Sequence, residues 1–268
     1  AATFNDMVRQ IGYANSLHCS PGELERNLHA VQEMNCLPPS TVLTGNQLRD
    51  FSVEMETGTG KTYVYIRTIY ELNKQYGLTK FIIVVPSVAI REGVRKTFET
   101  TEEHFRRLYD GVPHDVFVYE GNDVAHITDF ATSSSIQVMI INIGAFNKSF
   151  TAKGEEDKSN IFHRRNEKLP NGRSPQQLVS ECNPVVIIDE PQSVDNTAKA
   201  KKAIASLNPL FVLRYSATHK EPYNRIYELG PVQAFQQDLV KGIRVDSVQA
   251  DANLNGAYMR LESVKPDN

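Results

Sequence analysis

The chain has no tryptophan and only three cysteines among its 268 residues. Because Cys19, Cys36 and Cys182 lie far apart and lack the paired spacing of a metal site, we expect free thiols in a reducing compartment, with neither a disulfide framework nor a zinc site. The chain also lacks a run of about 18 apolar residues and a charged-then-apolar leader. We therefore expect a cytoplasmic protein without a membrane span.

Excess charge of one sign is lacking as well, since the net charge is −3 and the sequence pI is near 6.2. Global charge therefore neither supports nor excludes nucleic-acid binding, and any contact with DNA must come from a local patch. Hydrophobic residues make up 40% of the chain, which is enough apolar material for one large domain or two small ones.

The chain does contain a glycine-bearing loop, METGTGKT, at residues 55–62. The apolar stretch before it is typical of a strand, and the apolar spacing after it predicts a helix over residues 63–76, whose N-terminus favours anions. Backbone N–H groups close around phosphate oxygens, Lys61 supplies a charge for the terminal phosphates, and Thr62 offers its hydroxyl to Mg²⁺. The loop predicts a nucleoside triphosphate ligand. The residues assigned to it are Thr57, Gly58, Thr59, Gly60, Lys61 and Thr62.

Two adjacent carboxylates, Asp189 and Glu190, directly follow a predicted buried strand at residues 185–188. Beside a bound nucleotide, the first would hold Mg²⁺, usually through water, and the second would orient and activate the attacking water as general base. Adjacent carboxylates after a strand often only cap the following turn. The phosphate loop upstream favours the metal site.

A Ser-Ala-Thr triplet at residues 216–218 follows a predicted strand at residues 210–215. We expect its hydroxyls to hydrogen-bond to the two carboxylates and to couple the state of the phosphates to movement of the next domain. Such a triplet is common by chance, so its weight comes from the order of the motifs, each of which follows a strand. The residues assigned to coupling are Gln192, Ser216 and Thr218.

Apolar runs rich in β-branched residues alternate with helical stretches along the chain. This alternation predicts right-handed crossovers and a mostly parallel, doubly wound α/β sheet, with ligands beyond the carboxyl ends of its strands. The predicted strands are residues 51–55, 80–85, 116–119, 138–141, 185–188, 210–215 and 243–248, and the predicted helices include 4–13, 21–34, 63–76, 89–109 and 197–206.

The order of these motifs resembles the first RecA-like domain of superfamily 2 helicases, and the spellings METGTGKT, IIDEPQ and RYSATH resemble the Res subunit of type III restriction endonucleases. The resemblance also includes VVPSVAIREGV at residues 84–94 and NIGAFN at residues 142–147. Met55, which replaces the usual first glycine of the loop, is an accepted residue in this family. The resemblance implies a three-layer RecA-like P-loop NTPase fold and an ATP-driven, Mg²⁺-dependent motor that engages double-stranded DNA.

The residue pattern, together with the extent of this resemblance, implies a layout of the chain. Residues 1–50 are expected to form an N-terminal helical extension, residues 51–248 the RecA-like ATPase domain, and residues 249–268 the start of a linker. Within the domain, residues 151–180 are rich in charge, Asn, Gly and Pro, so we expect an exposed insertion or a flexible loop there. Because the chain opens without methionine and ends without a closing element, we expect a piece of a longer protein.

The same resemblance implies partners and further domains. A methyltransferase (Mod) subunit would recognise the DNA site, and a second RecA-like domain with an arginine finger and a separate nuclease domain are expected outside this chain. The loop with Pro86 and Ser87 would touch the DNA backbone, and Arg91 could contact phosphates. In the alternative interpretation, Ser87 only caps a helix and Arg91 lies on a solvated helix face.

Two other functions stay open at this point. The chain could belong to another superfamily 2 translocase, such as a type I restriction subunit or a repair helicase. A nucleotide-dependent switch that binds GTP is the other alternative, and it needs an Asn-Lys-x-Asp motif. The nearest sequences, at residues 73–76 and 147–150, lack the aspartate, which argues against the switch.

Overall fold

A seven-stranded sheet forms the centre of the computed structural model, which describes residues 13–41, 48–121, 123–147, 160–219 and 223–241. The strands are β1 (Asp50–Met55), β2 (Lys80–Val85), β3 (His114–Val118), β4 (Ile136–Asn142), β5 (Val185–Asp189), β6 (Phe211–Ser216) and β7 (Arg225–Leu229). The helices are α1 (Pro21–Met34), α2 (Lys61–Tyr76), α3 (Val88–Leu108), α4 (Val124–Thr132), α5 (Ile143–Phe146), α6 (Pro175–Ser180), α7 (Pro191–Val194), α8 (Ala198–Ser206) and α9 (Pro231–Gln236), and a 3₁₀ helix spans Pro170–Gly172.

All strand pairings in this sheet are parallel, and the strand order is β3-β4-β2-β5-β6-β1-β7. The mostly parallel, doubly wound α/β sheet expected from the sequence is therefore confirmed. Within the described residues, each predicted strand or helix begins and ends within two residues of the corresponding observed element. The strand β7 and the helices α4, α5, α6, α7 and α9 were not predicted.

The sheet is buried on both faces, which makes the architecture three-layered. Along β2, Phe81, Ile83 and Val85 belong to one core, and Ile82 and Val84 belong to the other. Helices α2 and α3 cover the first core, and α4, α6 and α8 cover the second. A strand with apolar contacts on both sides needs apolar residues at every position, which explains the continuous apolar runs in the sequence.

Residues 160–180 pack onto the core, which corrects the expectation of an exposed insertion over residues 151–180. Phe162 and Leu178 are fully buried and belong to the core on the α4 side of the sheet. Their apolar neighbours are spaced irregularly among charged residues, glycine and proline, so no strand or helix period marks them in the sequence. Residues 151–159 lie outside the described residues.

Helix α1 forms over the residues predicted for it and covers the edge strand β7. The side-chain amide of Gln32 donates to the backbone oxygen of Arg225 over 2.9 Å, and that of Asn35 donates to the oxygen of Ile226 over 2.6 Å. An uncovered edge strand offers its backbone groups to other chains, so these two amides protect the sheet from edge-to-edge pairing.

Several expectations fall outside the described residues. They are most of the predicted helix at residues 4–13, the predicted strand at residues 243–248 and the expected linker at residues 249–268. Within the described ranges, no helix combines the length and the apolar character needed to cross a membrane.

Asn15 ties the N-terminal segment to the start of the sheet. Its side-chain oxygen accepts from the backbone N–H groups of Thr79 and Lys80 at 2.9 and 3.2 Å, and its amide donates to the oxygen of Lys80 over 2.8 Å. Its own backbone N–H donates to the oxygen of Cys182 over 2.9 Å. Asn15 is buried, so these contacts satisfy backbone groups at the beginning of β2 that water does not reach.

We expect Asn15→Ala to lower the free energy of unfolding by about 2–3 kcal/mol, because it leaves buried backbone donors and an acceptor without partners. Urea unfolding measures this change. Ser16→Ala, at the exposed neighbouring position, is the matched control and should change stability by less than about 0.5 kcal/mol. Equal effects of the two substitutions would contradict the role assigned to Asn15.

Candidate nucleotide-binding and hydrolysis site

Three neighbouring strands bring the sequence motifs to one edge of the sheet. Strand β6 lies between β5 and β1, with Tyr215 opposite Asp189 on one side and Ser216 opposite Glu54 on the other. Because the three strands are parallel, the phosphate loop after β1, the carboxylates at the end of β5 and the Ser-Ala-Thr triplet at the end of β6 emerge together.

The phosphate loop turns sharply between β1 and α2. Gly58 and Gly60 have φ angles of 82° and 91°, a region in which a side chain is strained. Gly60 is the N-cap of α2, which begins at Lys61. The backbone N–H of Glu56 donates to the oxygen of Leu229 over 3.0 Å, so the loop is tied to β7. The loop therefore presents the N-terminus of a 16-residue helix, an arrangement that binds anions.

A carboxylate already accepts from one backbone N–H group of this loop. The N–H of Thr57 donates to the Glu56 carboxylate over 2.8 Å, and the hydroxyl of Thr59 donates to the backbone oxygen of Glu56 over 2.7 Å. The carboxylate has the charge and the oxygen acceptors of a phosphate. A phosphate that binds the same N–H group would have to displace it.

Lys61 lies between the phosphate loop and the carboxylates. Its Nζ donates to the backbone oxygen of Met55 over 3.2 Å and is 3.5 Å from Oε1 of Glu190. The Lys61 side chain is only 11% exposed, so this ion pair is shielded from water more than a surface pair. Terminal phosphate oxygens would compete with both contacts.

Asp189, at the end of β5, is buried. Burial raises the pKa of its carboxyl to about 6, and the charge of Glu190 acts in the same direction, whereas Lys61 and a hydrogen bond from Tyr65 oppose the shift. The ionised carboxylate is therefore costly in this environment. A divalent cation beside it would stabilise the ionised form.

Glu190 has a backbone conformation that is unusual for its residue type. Its φ and ψ are 55° and 64°, in the left-handed region, which costs a non-glycine residue about 1–2 kcal/mol. The backbone N–H of Glu190 donates to the oxygen of Tyr215 over 3.0 Å, and Pro191 begins α7 immediately afterwards. The turn aims the Glu190 carboxylate at Lys61, and strain of this kind is concentrated at functional residues.

Ser216 is hydrogen-bonded to the Glu190 turn. Its hydroxyl oxygen lies 3.1 Å from Oε2 of Glu190, 2.9 Å from the side-chain oxygen of Gln192 and 2.8 Å from the backbone oxygen of Thr218. Gln192 also donates to Oε2 of Glu190 over 2.6 Å. One hydroxyl proton serves three acceptors, so a movement of Glu190 changes the contacts of Ser216. Thr218 takes part through its backbone, whose N–H donates to Ser216 over 3.2 Å.

Arg214 is a buried cation near the site that the sequence reasoning did not single out. Its guanidinium donates to Asp195 over 2.9 Å and to Asp50 over 2.7 Å, and it lies 4.3 Å from the ring centre of Tyr223. Asp195 caps the end of α7, so Arg214 anchors the helix that carries Gln192. In the sequence, Arg214 is marked only as the single charged residue of the strand FVLRYS.

The oxygen ligands present in the site fit Mg²⁺. This ion prefers oxygen donors and is usually held by one or two carboxylates together with phosphate oxygens and water. Thr62, in the first turn of α2, provides a hydroxyl, and Asp189 provides a carboxylate whose pKa is raised to about 6 by burial. These two residues could hold the ion.

The residues assigned to DNA lie at the same edge of the sheet but farther along it, after β2. Ser87 accepts from the N–H of Ile90 over 3.3 Å and so caps α3, as the alternative interpretation held. The amide of Asn142 donates to the backbone oxygen of Pro86 over 3.5 Å, which links the loop to the end of β4. Arg91 pairs with Glu92 at 3.0 Å, so part of its charge is neutralised locally.

Comparison with known proteins connects this site to a family. A family model described as "Type III restriction enzyme, res subunit" matches residues 22–221. The chain is 34% identical over 245 residues to the type III restriction-modification enzyme EcoP15I Res subunit of Escherichia coli, covering 85% of this chain and 24% of that protein. It is 32% identical over 235 residues to the EcoPI Res subunit of Escherichia phage P1, covering 81% and 23%. The chain thus spans about a quarter of the length of these curated relatives.

Solved structures show more distant likenesses. A nuclease-deletion mutant of the Type ISP restriction-modification enzyme LlaGI, in complex with a DNA substrate mimic, is 11% identical with a TM-score of 0.46, covering 84% of this chain and 21% of that one. The Sulfolobus solfataricus SWI2/SNF2 ATPase core, in complex with dsDNA, is 14% identical with a TM-score of 0.41, covering 72% and 31%.

The assignment rests on the sequence matches, which extend over most of the chain. The matched residues 22–221 contain the phosphate loop, the paired carboxylates and the Ser-Ala-Thr triplet. The family match also favours a Res subunit over the other translocases and over a GTP switch. The chain belongs to the family of type III restriction enzyme Res subunits, of which it carries the helicase-like ATPase domain.

Proposed function

We propose that this chain is the first RecA-like motor domain of a Res subunit, and that it hydrolyses ATP with Mg²⁺ in response to double-stranded DNA. The observation that carries this proposal is the meeting of Lys61 and Glu190, whose charged groups lie 3.5 Å apart. One is the cation that a phosphate loop offers to terminal phosphates, and the other is a carboxylate placed to act on a water beside them.

Binding of ATP rearranges the contacts of these two residues. The loop N–H groups bind phosphate oxygens, and Lys61 exchanges Glu190 for the terminal phosphates. This exchange frees one oxygen of Glu190, which then accepts a proton from the attacking water as general base. Thr62 and Asp189 would hold Mg²⁺, which neutralises phosphate charge when it is bound.

The hydrogen bonds of Ser216 couple this exchange to the rest of the protein. When Glu190 moves, the single proton of Ser216 turns to Gln192 or to the backbone of Thr218. Residues 216–218 lead out of β6, so the change reaches the segment that follows. We assign Gln192, Ser216 and Thr218 to coupling on this basis.

We extend the proposal to the whole protein because of its family. The loop with Pro86 and Ser87, together with Arg91, would contact the DNA backbone. A second RecA-like domain would supply an arginine to the ATP site, a Mod subunit would recognise the DNA sequence, and a nuclease domain would cut it. We place this activity in the cytoplasm, which supplies ATP.

Glu190→Gln tests the general base. In the full-length protein, we expect DNA-stimulated ATP hydrolysis to fall by about 10²–10⁴-fold, because the amide cannot accept the proton from water. ATP binding should persist, since Lys61 and the loop are unchanged. Hydrolysis is followed by phosphate release and binding by calorimetry.

Glu102→Gln is the matched control for Glu190→Gln, because Glu102 is exposed on α3 and belongs to neither the phosphate loop, the paired carboxylates nor the Ser-Ala-Thr triplet. This variant should hydrolyse ATP at the wild-type rate. Retention of hydrolysis by Glu190→Gln would contradict the role of Glu190.

Asp189→Asn tests the cost of the buried carboxylate. The folded protein holds the Asp189 proton more tightly than the unfolded chain, because burial raises its pKa to about 6. The contribution of the Asp189 carboxyl to the free energy of unfolding of the wild type is therefore present at low pH and is lost as the pH rises through 6. Without Mg²⁺, the stability of Asp189→Asn relative to wild type should increase by about 2 kcal/mol between about pH 4.5 and pH 7.5.

Urea unfolding at the two pH values measures this difference. Asp110→Asn, at an exposed position, controls for the loss of one negative charge. A stability difference between Asp189→Asn and wild type that is the same at both pH values would show that burial does not penalise the Asp189 charge.

A further inference from the structure

Tyr65 lies near Thr62 and Asp189, the two residues assigned to the metal. It is on α2, one turn after Thr62, and its side chain is fully buried. Its hydroxyl donates to Oδ2 of Asp189 over 3.4 Å. The phenol thus acts as a donor to the carboxylate.

The hydroxyl of Tyr65 is not needed to fill the core. Its ring packs edge-on against Tyr215 at 5.5 Å between centroids, and a phenylalanine ring would make the same contact. A buried hydroxyl is costly without a partner. The acceptor for the hydroxyl of Tyr65 is Asp189, so the polar part of this side chain holds the carboxylate through a hydrogen bond.

Hydrogen bonds from a second layer of residues orient metal ligands and tune their affinity. The hydroxyl of Tyr65 donates to Oδ2 of Asp189, which leaves Oδ1 of Asp189 free to face a cation. A single buried tyrosine thus contacts the carboxylate that could hold Mg²⁺.

We propose that Tyr65 is a positioning residue for the metal site, which fixes the Asp189 carboxylate through Oδ2 and leaves Oδ1 for the hydration shell of Mg²⁺. This inference rests on the proposed function, because it requires that ATP binds with Mg²⁺ at this site.

Tyr215 provides the matched control. It is fully buried in the same cluster, next to Tyr65, but its hydroxyl lies 3.2 Å from the hydroxyl of Thr68 and not beside Asp189. Tyr215→Phe and Tyr65→Phe each remove one buried hydroxyl from the same core. They differ in whether that hydroxyl contacts the carboxylate.

The test is calorimetric titration of ATP into the 268-residue chain, first in EDTA and then at increasing Mg²⁺ concentrations. For Tyr65→Phe we expect the Mg²⁺ concentration that gives the half-maximal gain in ATP affinity to rise about tenfold. The affinity for ATP in EDTA should stay within about twofold of wild type, because the loop and Lys61 are intact. Tyr215→Phe should leave both quantities within about twofold of wild type.

Equal Mg²⁺ dependence of the two variants would overturn the proposal. So would a loss of ATP affinity in EDTA, or unfolding of Tyr65→Phe at the assay temperature as seen by circular dichroism, since each would make the hydroxyl a general structural element. If the wild-type chain fails to bind ATP in any condition, the proposed function itself fails. If the wild type binds ATP and Mg²⁺ normally and Tyr65→Phe shows the same Mg²⁺ dependence as wild type, the positioning role of Tyr65 is wrong, whereas the proposed function stands.

Discussion

The parallel alignment of β5, β6 and β1 is the constraint on which the site depends. Each strand ends in a different motif, and only neighbouring parallel strands deliver all three motifs to one edge. The strands are held by apolar contacts on both faces. Helix α1 satisfies backbone groups of the edge strand, and Asn15 satisfies buried backbone groups at the start of the sheet. The positions of the site residues at the carboxyl edge of the sheet therefore depend on contacts in the rest of the domain.

The site itself opposes the stability of the fold. Asp189 is ionised only at a cost, and Glu190 adopts a left-handed backbone conformation. Both are tolerated because their surroundings hold them: Lys61 pairs with Glu190, and Arg214 anchors α7 through Asp195. A bound cation and phosphates would relieve part of this cost, so ligand binding and stability are expected to be linked.

Local motifs could be predicted from the sequence, whereas contacts between distant segments could not. The loop at residues 55–62 and the pair at residues 189–190 were identified because their chemistry requires particular residue types in a short stretch, and continuous apolar runs marked the central strands. Residues 160–180 were misassigned because their burial depends on partners far along the chain. Strand β7 was missed because only Leu229 among its five residues is buried, so it lacks a continuous apolar run. Tyr65 had the spacing of an ordinary core residue, and only the fold shows that its hydroxyl contacts Asp189.

The role of the phosphate loop as an ATP site is tested by calorimetric binding of ATP and GTP, in Mg²⁺, to the 268-residue chain and to its Lys61→Ala variant. The wild-type chain should bind ATP in preference to GTP, and Lys61→Ala should bind ATP at least about tenfold more weakly, since the charge for the terminal phosphates is gone. Equal binding of ATP by the two proteins, or preference for GTP, would contradict this role.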